Sequence, residues 1–452
     1  MDQVNILKGY GLFDAKVPRY TSFPPANRFE PGIGARYRNK WLEAVPADEP
    51  ISIYIHIPFC KRLCWFCTCR TQGTKSLGHV AAYIETLLRE IDTVASALLP
   101  KRPKMKRLHL GGGTPTLLSA ALMDRLLGYV HARFEASKGF EFSVEIDPTD
   151  AAPDVLKVLS DWNMMRASIG VQDFDPRVQE AIGRQQSVAL TRDVVDRLRR
   201  NGVKSVNLDL LYGLPYQTEE SLTRTLDDVV ALSPDRLALY GYAHVPHVSK
   251  RQVMIPSEAL PSPEQRFLMA ERAKWQFVEK GFVALGIDHF ARKSDGLALA
   301  AKSGSMRRNF QGYTDDPCVT LLGFGASAIS KFSQGYVQNA VATSAYNARI
   351  AATGNAGHKG VALSAHDQFV AHLIEAILCR GEIKFETVAQ QFPEHMEELS
   401  GIVQDIITTY PKAISLSPDR LQLRQDLIIL ARCIAARIDH QRNAAHIYSL
   451  AV

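Results

Sequence analysis

Four of the seven cysteines in this 452-residue sequence, Cys60, Cys64, Cys67 and Cys69, fall within ten residues. They follow the run Ile51-Ser52-Ile53-Tyr54-Ile55-His56-Ile57, which reads as a buried strand. Thiolates gathered on a loop leaving a strand are soft ligands, suited to iron-sulfur or zinc and ill suited to magnesium or calcium. The spacing Cys-x3-Cys-x2-Cys narrows the choice. A zinc site of the usual kind needs two Cys-x2-Cys pairs or a Cys/His mixture at a distance. Cys318, Cys379 and Cys433 stand alone and offer no second pair. Three close thiolates suit a cubane iron-sulfur cluster whose fourth iron is left open for another ligand. A zinc loop, and cysteines that are merely reduced and buried, are the alternatives for this pattern.

Other chemistry-bearing residues fall after further apolar runs. Gly111-Gly112-Gly113-Thr114-Pro115 would let backbone approach a ligand as no side chain permits. It would equally serve as a tight turn, and it is not the dinucleotide-binding Gly-x-Gly-x-x-Gly. Glu145, in Val144-Glu145-Ile146-Asp147-Pro148, needs a partner to offset its desolvation, and an ion pair with a neighbouring helix would provide one. Gln172, Arg184 and Asp209 are polar groups at a strand outlet or in the loop beyond it. Asp288-His289 and the segment Arg308 to Thr314 are further candidates, although His289 alone reads as a hydrogen-bonded structural histidine. Gly213-Leu214-Pro215-Tyr216-Gln217-Thr218 suits a turn, and Leu322 to Ala328 suits close packing against that pocket.

These residues need a scaffold, and the periodicity supplies one. Strands are expected at Ile51–Ile57, Met105–Leu110, Phe140–Ile146, Met165–Ile169, Ser205–Leu210 and Arg236–Leu239. Helices are expected between them near Val80–Ala97, Ala120–Phe134, Pro153–Leu159, Leu190–Asn201 and Glu219–Leu232. Alternation of this kind implies parallel pairing through right-handed crossovers, and six units would make an incomplete α/β barrel with chemistry at the strand C-termini. A helix near Ala35–Val45 precedes it, and Ser262 with Gln265 caps one ending at Glu279. Residues 331–362 are expected to hold a helix and then a flexible connector, Asn355-Ala356-Gly357-His358-Lys359-Gly360. Residues 363–452 read as a mostly helical domain with a hairpin near Ile414–Leu423.

Cys60, Cys64 and Cys67 resemble the signature of radical S-adenosylmethionine (SAM) enzymes. Tyr54 to Cys69 resembles its form in the oxygen-independent coproporphyrinogen III oxidases, as does Pro18-Arg19-Tyr20-Thr21-Ser22-Phe23-Pro24 near the N-terminus. The resemblance implies a (βα)6 partial barrel over residues 51–330, covered by an N-terminal segment, residues 1–50. It implies a [4Fe-4S] cluster on the three cysteines, with Cys69 not a ligand, and SAM bound by Tyr54, Phe66, Gly112, Gly113, Thr114, Glu145, Gln172, Arg184 and Asp209. Phe310 and Gln311 would belong to a site for a second SAM, and the N-terminal motif with Arg19 and Tyr20 would lie over the active site and sense the substrate. A substrate with four carboxylates calls for arginines, whose rigid forks pair bidentately with carboxylates, and Arg19 and Arg308 are the candidates. The implied reaction converts the ring A and B propionates of coproporphyrinogen III to vinyl groups, giving protoporphyrinogen IX, with a low-potential electron donor as partner. Other radical chemistry on a tetrapyrrole, or a haem-carrying chaperone, are the alternative functions. Trp65, Thr68, Asn163-Met164-Met165, Asp426-Leu427 and Arg437 to Gln441 depart from the family pattern.

Bulk properties agree with a soluble enzyme. Hydrophobic content of 46% and charged content of 22% are those of a globular chain of two or three domains. No 18-residue apolar span and no secretion signal is evident, so a cytoplasmic monomer is expected. A net charge of +6 permits an anionic ligand without demanding nucleic acid. The one dense basic run, Lys101 to Arg107, is expected as a solvated connecting loop.

Overall fold

The structure, a computed structural model, describes residues 3–99, 101–439 and 448–451; the departures at His440 and Gln441, and Met1 and Asp2 of the expected leaderless N-terminus, lie outside them. All six expected strands form: β1 Ile51–Ile57, β2 Met105–Gly112, β3 Ala136–Ile146, β4 Met164–Gln172, β5 Ser205–Tyr212 and β6 Arg236–Gly241. Each of the first five is followed by an expected helix: α1 Leu77–Ala97, α2 Ala120–Arg133, α3 Pro153–Asp161, α4 Val188–Arg200 and α5 Glu219–Ala231. Every pair from β1 to β6 is parallel. Strands β2, β4 and β5 run past their expected ends, which carries the ladder into Gly111, Gly112 and Gln172.

Parallel strands covered on both faces usually read as continuous apolar runs. These alternate instead. In β5, Val206, Leu208 and Leu210 are buried beneath the helices while Ser205, Asn207 and Asp209 face the barrel interior. In β3, Val144 and Ile146 pack outward, opposite Ser143 and Glu145. The interior is therefore a polar lumen, and the apolar core lies between sheet and helices.

The barrel is not closed. Five strands extend the sheet beyond β1. With β7 Phe282–Leu285, β8 His289–Arg292, β9 Arg307–Asn309 and β10 Gly312–Thr314 intervening in the chain, four of them are β11 Leu321–Phe324, β12 Ile329–Phe332, β13 Gly335–Asn339 and β14 Gly357–Ala362, and the fifth, the two-residue strand Glu30–Pro31, pairs with β14 at the edge. β11 is parallel to β1, the rest of this flank is antiparallel, and β8 and β7 extend the opposite edge. The expected connector at residues 331–362 is thus corrected: it contributes β13 and β14 with the helix Thr343–Thr353 between them. Its glycines serve close approach, since a Cβ on Gly34 of the helix Ile33–Glu43 would stand 2.7 Å from the His358 backbone nitrogen. Leu322 to Ala328 also packs closely, against α1 and the backbone of His56: Gly325 N–H donates to Glu90 Oε2 at 2.8 Å, Ala326 N–H to Tyr83 Oη at 2.9 Å, and a Cβ on Gly325 would stand 2.6 Å from His56 O.

The helix Ala365–Arg380 and the hairpin Ile414–Leu416 with Arg420–Leu423 belong to a second hydrophobic cluster shared with Leu7, Leu12 and Phe23 of the N-terminal segment. Among the described residues no helix is long and apolar enough to cross a membrane.

Across the base of the lumen, Arg107 of β2, Arg166 of β4 and Arg236 of β6 converge on Asp315 at 3.3, 3.4 and 3.2 Å. Arg107, expected in a solvated run, instead faces inward and pairs with Glu141 as well. Burial would raise the Asp315 carboxyl, but the three guanidinium groups hold it far below the carboxylate range. Removing one partner from a buried charge cluster strands the others. Asp315→Ala should therefore lower the free energy of unfolding by about 3–5 kcal/mol, measured by denaturant titration; a loss below 1 kcal/mol would show that water enters the base.

Candidate active site

The cysteine loop leaves β1 and folds back over the barrel mouth. Gln72–Gly73 pairs with Phe59–Cys60, and Trp65 N–H donates to Ile182 O at 3.0 Å. Trp65 lies against Gly183, where a Cβ would stand 2.9 Å from the indole, so this departure is a packing choice. Thr68, the other departure in the loop, is exposed and does not crowd the thiols. Phe66 packs beside the cluster of Val178, Ile182 and Leu214. Cys64 is buried, Cys60 and Cys67 are half-buried, and Cys69 is exposed.

The thiols are not equivalent. Burial pushes Cys60 up to about 11 against hydrogen bonds from Thr114 and Thr71. The Cys69 thiol beside Cys67 holds the latter down at about 6, with Arg251 and Arg184 adding to the effect, and Cys69 itself is pushed up. Arg184 Nη1 lies 3.5 Å from Cys64 Sγ and donates to Asp147 Oδ2 at 3.0 Å, and Nη2 donates to Gly170 O at 2.8 Å. Its Nε is buried with no partner. No three His, Cys, Asp or Glu side chains among the described residues converge on one point as a single ion requires. A cubane places no such demand, because each thiolate meets a different iron.

The glycine loop meets the cysteine loop at the same mouth. Thr114 N–H donates to Phe59 O at 2.8 Å, and Gly113 N–H to Ile57 O at 2.8 Å. A Cβ on Gly113 would stand 2.5 Å from Phe59 O, one on Gly111 2.6 Å from Glu145 Oε1, and one on Gly112 would overlap the His56 ring. Gly112 also has φ +112°, which a side chain disfavours. The turn reading of this motif is too weak: these are positions where backbone, a carboxylate and a histidine press together.

Below the loop runs a connected set of lumen side chains. Tyr54 Oη lies 3.0 Å from His56 Nδ1, and the Tyr54 ring stacks on His109 at 5.7 Å. His109 reaches Ser143 Oγ at 2.6 Å and Glu145 Oε1 at 3.4 Å, and Glu145 Oε2 accepts Gly112 N–H at 2.9 Å. Burial raises the Glu145 carboxyl, and His109 and Gly112 more than offset it, leaving a carboxylate at neutral pH. Asp209 accepts Ser168 Oγ–H and an Asn207 Nδ2–H, both at 2.8 Å, yet burial still leaves it above the usual range. Gln172 adopts φ +69°, and its Nε2 lies near Gly170.

The structure thus brings together Tyr54, Phe66, Gly112, Gly113, Thr114, Glu145, Gln172, Arg184 and Asp209 with the cysteines at one end of the barrel. The other candidates are more dispersed. Arg19 donates to Gly241 O at 2.9 Å and, with Arg308, lines a cavity beside β6. Tyr20 is buried, with Oη 3.1 Å from Asp439 Oδ2, and it does not line that cavity. Phe310 packs edge-on against Tyr336 at 5.9 Å and Gln311 is exposed, both on the β9–β10 hairpin and neither in the cavity lining. His56, His109, Ser168 and Asn207 escaped the sequence reading. A signal for them existed, since His56 and Asn207 share the two-residue period of Tyr54 and Asp209, and His109 and Ser168 that of Gly111 and Gln172, each on one strand face.

The Radical SAM superfamily model matches residues 54–229. The oxygen-independent coproporphyrinogen III oxidase of Paracoccus denitrificans is 47% identical over 452 residues, covering 100% of each chain. The chain belongs to this oxidase family. The Escherichia coli K12 oxidase of the same name is 37% identical over 84% of this chain and 83% of its own. A solved coproporphyrinogen III oxidase from Escherichia coli, described as a radical SAM enzyme, superposes with a TM-score of 0.90 at 32% identity, covering 95% of this chain and 100% of that one. The open α/β barrel is accordingly that of the oxidase family, as its sequence resemblance implied.

Two outcomes follow for the oxidase site. Gly112→Ala should cost about 1–3 kcal/mol from its positive φ alone, and denaturant melts that match the parent would show that the loop relaxes around the methyl group. Asp288 is held down at about 2 because His289 and Arg308 outweigh its burial. Its contribution to stability is present above the unfolded value of about 4 and is lost as pH falls toward about 2. Asp288→Asn should flatten that part of the acid limb in unfolding free energies measured from pH 5 downward.

Proposed function

We propose that this chain carries out the oxidative decarboxylation of the ring A and B propionates of coproporphyrinogen III, forming protoporphyrinogen IX. The observation that carries this reading is the meeting of the thiol loop and the glycine cradle at one barrel mouth, in a chain matching named oxidases from end to end. The chemistry of the donor set fits a [4Fe-4S] cluster with SAM. Cys60, Cys64 and Cys67 would hold the cluster. The Gly111 to Gly113 backbone and the carboxylate of Glu145 pressed against it would receive the ammonium end of SAM. The unpartnered Arg184 Nε is a donor suited to its carboxylate, Asp209 and Gln172 would face the ribose, and Tyr54, Phe66 and Thr114 would close around the remainder. Phe310 and Gln311, at the turn of the β9–β10 hairpin, would belong to a site for a second SAM.

When bound and reduced, these cofactors would supply the 5'-deoxyadenosyl radical chemistry by which a propionate loses a hydrogen atom from its β-carbon, carbon dioxide and one electron, the electron passing to an external one-electron acceptor, and becomes a vinyl group. The protein's own work is orientation and exclusion of solvent. The sequence of carbonyl and thiol contacts around Arg184 fixes the cysteine loop against β4, while the N-terminal segment carrying Arg19 and Tyr20 covers the mouth. No proton needs to be moved in that balance, which agrees with a lumen whose carboxylates are held by fixed donors. We further infer a cytoplasmic, monomeric enzyme served by a low-potential electron donor.

The decisive assay is anaerobic turnover of reconstituted protein with SAM, a reductant and coproporphyrinogen III, read by mass spectrometry. Loss of two carboxyl groups together with 5'-deoxyadenosine is expected, and cofactor cleavage with intact substrate would refute the reaction. Ser substitutions at Cys60, Cys64 or Cys67 should each lower bound iron from about four per chain, whereas Cys69→Ser should retain it; iron loss in the last variant would make Cys69 a ligand.

A further inference from the structure

On the β5–β6 side the mouth continues into a cavity that neither the cysteine loop nor the glycine cradle lines. It abuts the lumen directly, because Asp209, Ala238 and His289 are register partners across β5, β6 and β8. Four guanidinium groups, those of Arg19, Arg266, Arg308 and Arg432, surround it. Among the described residues that line it, Asp288 is the one carboxylate at its depth, since Glu271 is a third exposed and lies 3.9 Å from Lys274 at the rim.

Two of these arginines are under-used. Arg266, on the helix Pro263–Glu279, is only 9% exposed. Its Nη2 donates to Tyr242 O at 2.7 Å and its Nε has no partner. It reaches this place across Gly213, whose Cβ, if present, would stand 2.7 Å from that Nε. Arg308, its side chain 7% exposed, leaves Nε and Nη1 without a hydrogen bond, and Asp288 Oδ1 is 4.0 Å away. Arg432 differs: it donates to the carbonyls of Val17, Pro18, Leu450 and Ala451, so four of its five N–H donors are already engaged and it contributes mainly charge. Desolvated cations facing one another are costly unless an anion joins them. The planar fork of a guanidinium pairs with a carboxylate through two parallel hydrogen bonds.

We propose that this cavity is a carboxylate subsite, in which Arg266 and Arg308 hold the carboxylates that the reaction does not remove, and that Arg266 is a specificity-determining residue. The proposal rests on the reading of the substrate as a tetracarboxylate porphyrinogen. It gives the enzyme a grip on the unreactive side of the macrocycle while a propionate is presented to the lumen past Tyr240 and His289.

The test is an anaerobic fluorescence titration of the reconstituted enzyme with coproporphyrin III, which carries the same four carboxylates, and with its tetramethyl ester. The parent should prefer the acid. Arg266→Gln and Arg308→Gln should each weaken acid binding about tenfold to a hundredfold and leave ester binding unchanged, with Arg266→Lys recovering part of the loss. In turnover, the same variants should raise KM for coproporphyrinogen III more than they lower kcat. Equal losses for acid and ester, or no loss for either variant, overturn the subsite, and bound iron and unfolding midpoints report whether each variant is folded. Acid-selective binding that depends on Arg266, in an enzyme that fails to decarboxylate coproporphyrinogen III, would sink the proposed reaction and leave the subsite standing.

Discussion

An open barrel has no closing ladder to hold its strands at a fixed spacing, and here a single carboxylate takes that part. Asp315 enters the base of the lumen and meets guanidinium groups from β2, β4 and β6, alternate strands of the same sheet. Asp295 and Glu141 neutralise the remaining charge, through Arg236 at 2.5 Å and Arg166 at 2.9 Å. A hydrophobic plug would fill the same space, but it would not fix direction. Three forks on one anion set both the separation of the strands and their rotation, and the C-terminal ends of those strands carry Gly111, Gln172 and Tyr240 to the mouth.

The two ends of the lumen therefore differ in electrostatic character. At the base, cations and carboxylates are matched within hydrogen-bonding distance. Toward the mouth, Glu145 and Asp209 are held by neutral or weakly basic donors, His109, Ser168 and Asn207, and the cationic groups lie to the side around the cavity beside β6. A cationic cofactor and a polyanionic substrate would thus find complementary fields in adjacent compartments of one cleft, separated by the Tyr240–His289 wall.

Much of the scaffold was legible because the parallel strands alternate. Val206, Leu208 and Leu210 against Asn207 and Asp209 reveal both a strand and the face that lines the lumen, and the cysteine spacing reveals what sits above it. What was not legible depends on contacts distant in sequence. Asn355 to Gly360 has the composition of a linker, yet its glycines admit the helix Ile33–Glu43 some three hundred residues away. Leu322 to Ala328 reads as loop chemistry and proves to be β11 and a turn on α1. Arg266 sits on a well-capped helix where period alone assigns a solvent face, and only the glycines opposite, Gly213 and Gly241, make room for its side chain to turn inward. Arg107 belongs to a basic run by composition and to the barrel base by register.

Arg432 bonds to carbonyls near both chain termini, and Lys16 pairs with Leu450 in the same region. The roof over the arginine-lined cavity is thus assembled from segments more than four hundred residues apart, residues 16–18 and 450–451. The six strands that end by Gly241 are braced at the base by Asp315 and covered at the cavity by residues beyond 430, both supplied from outside that stretch. A fragment limited to residues 51–241 would therefore lack both the brace at the base of the lumen and the roof over the cavity beside it.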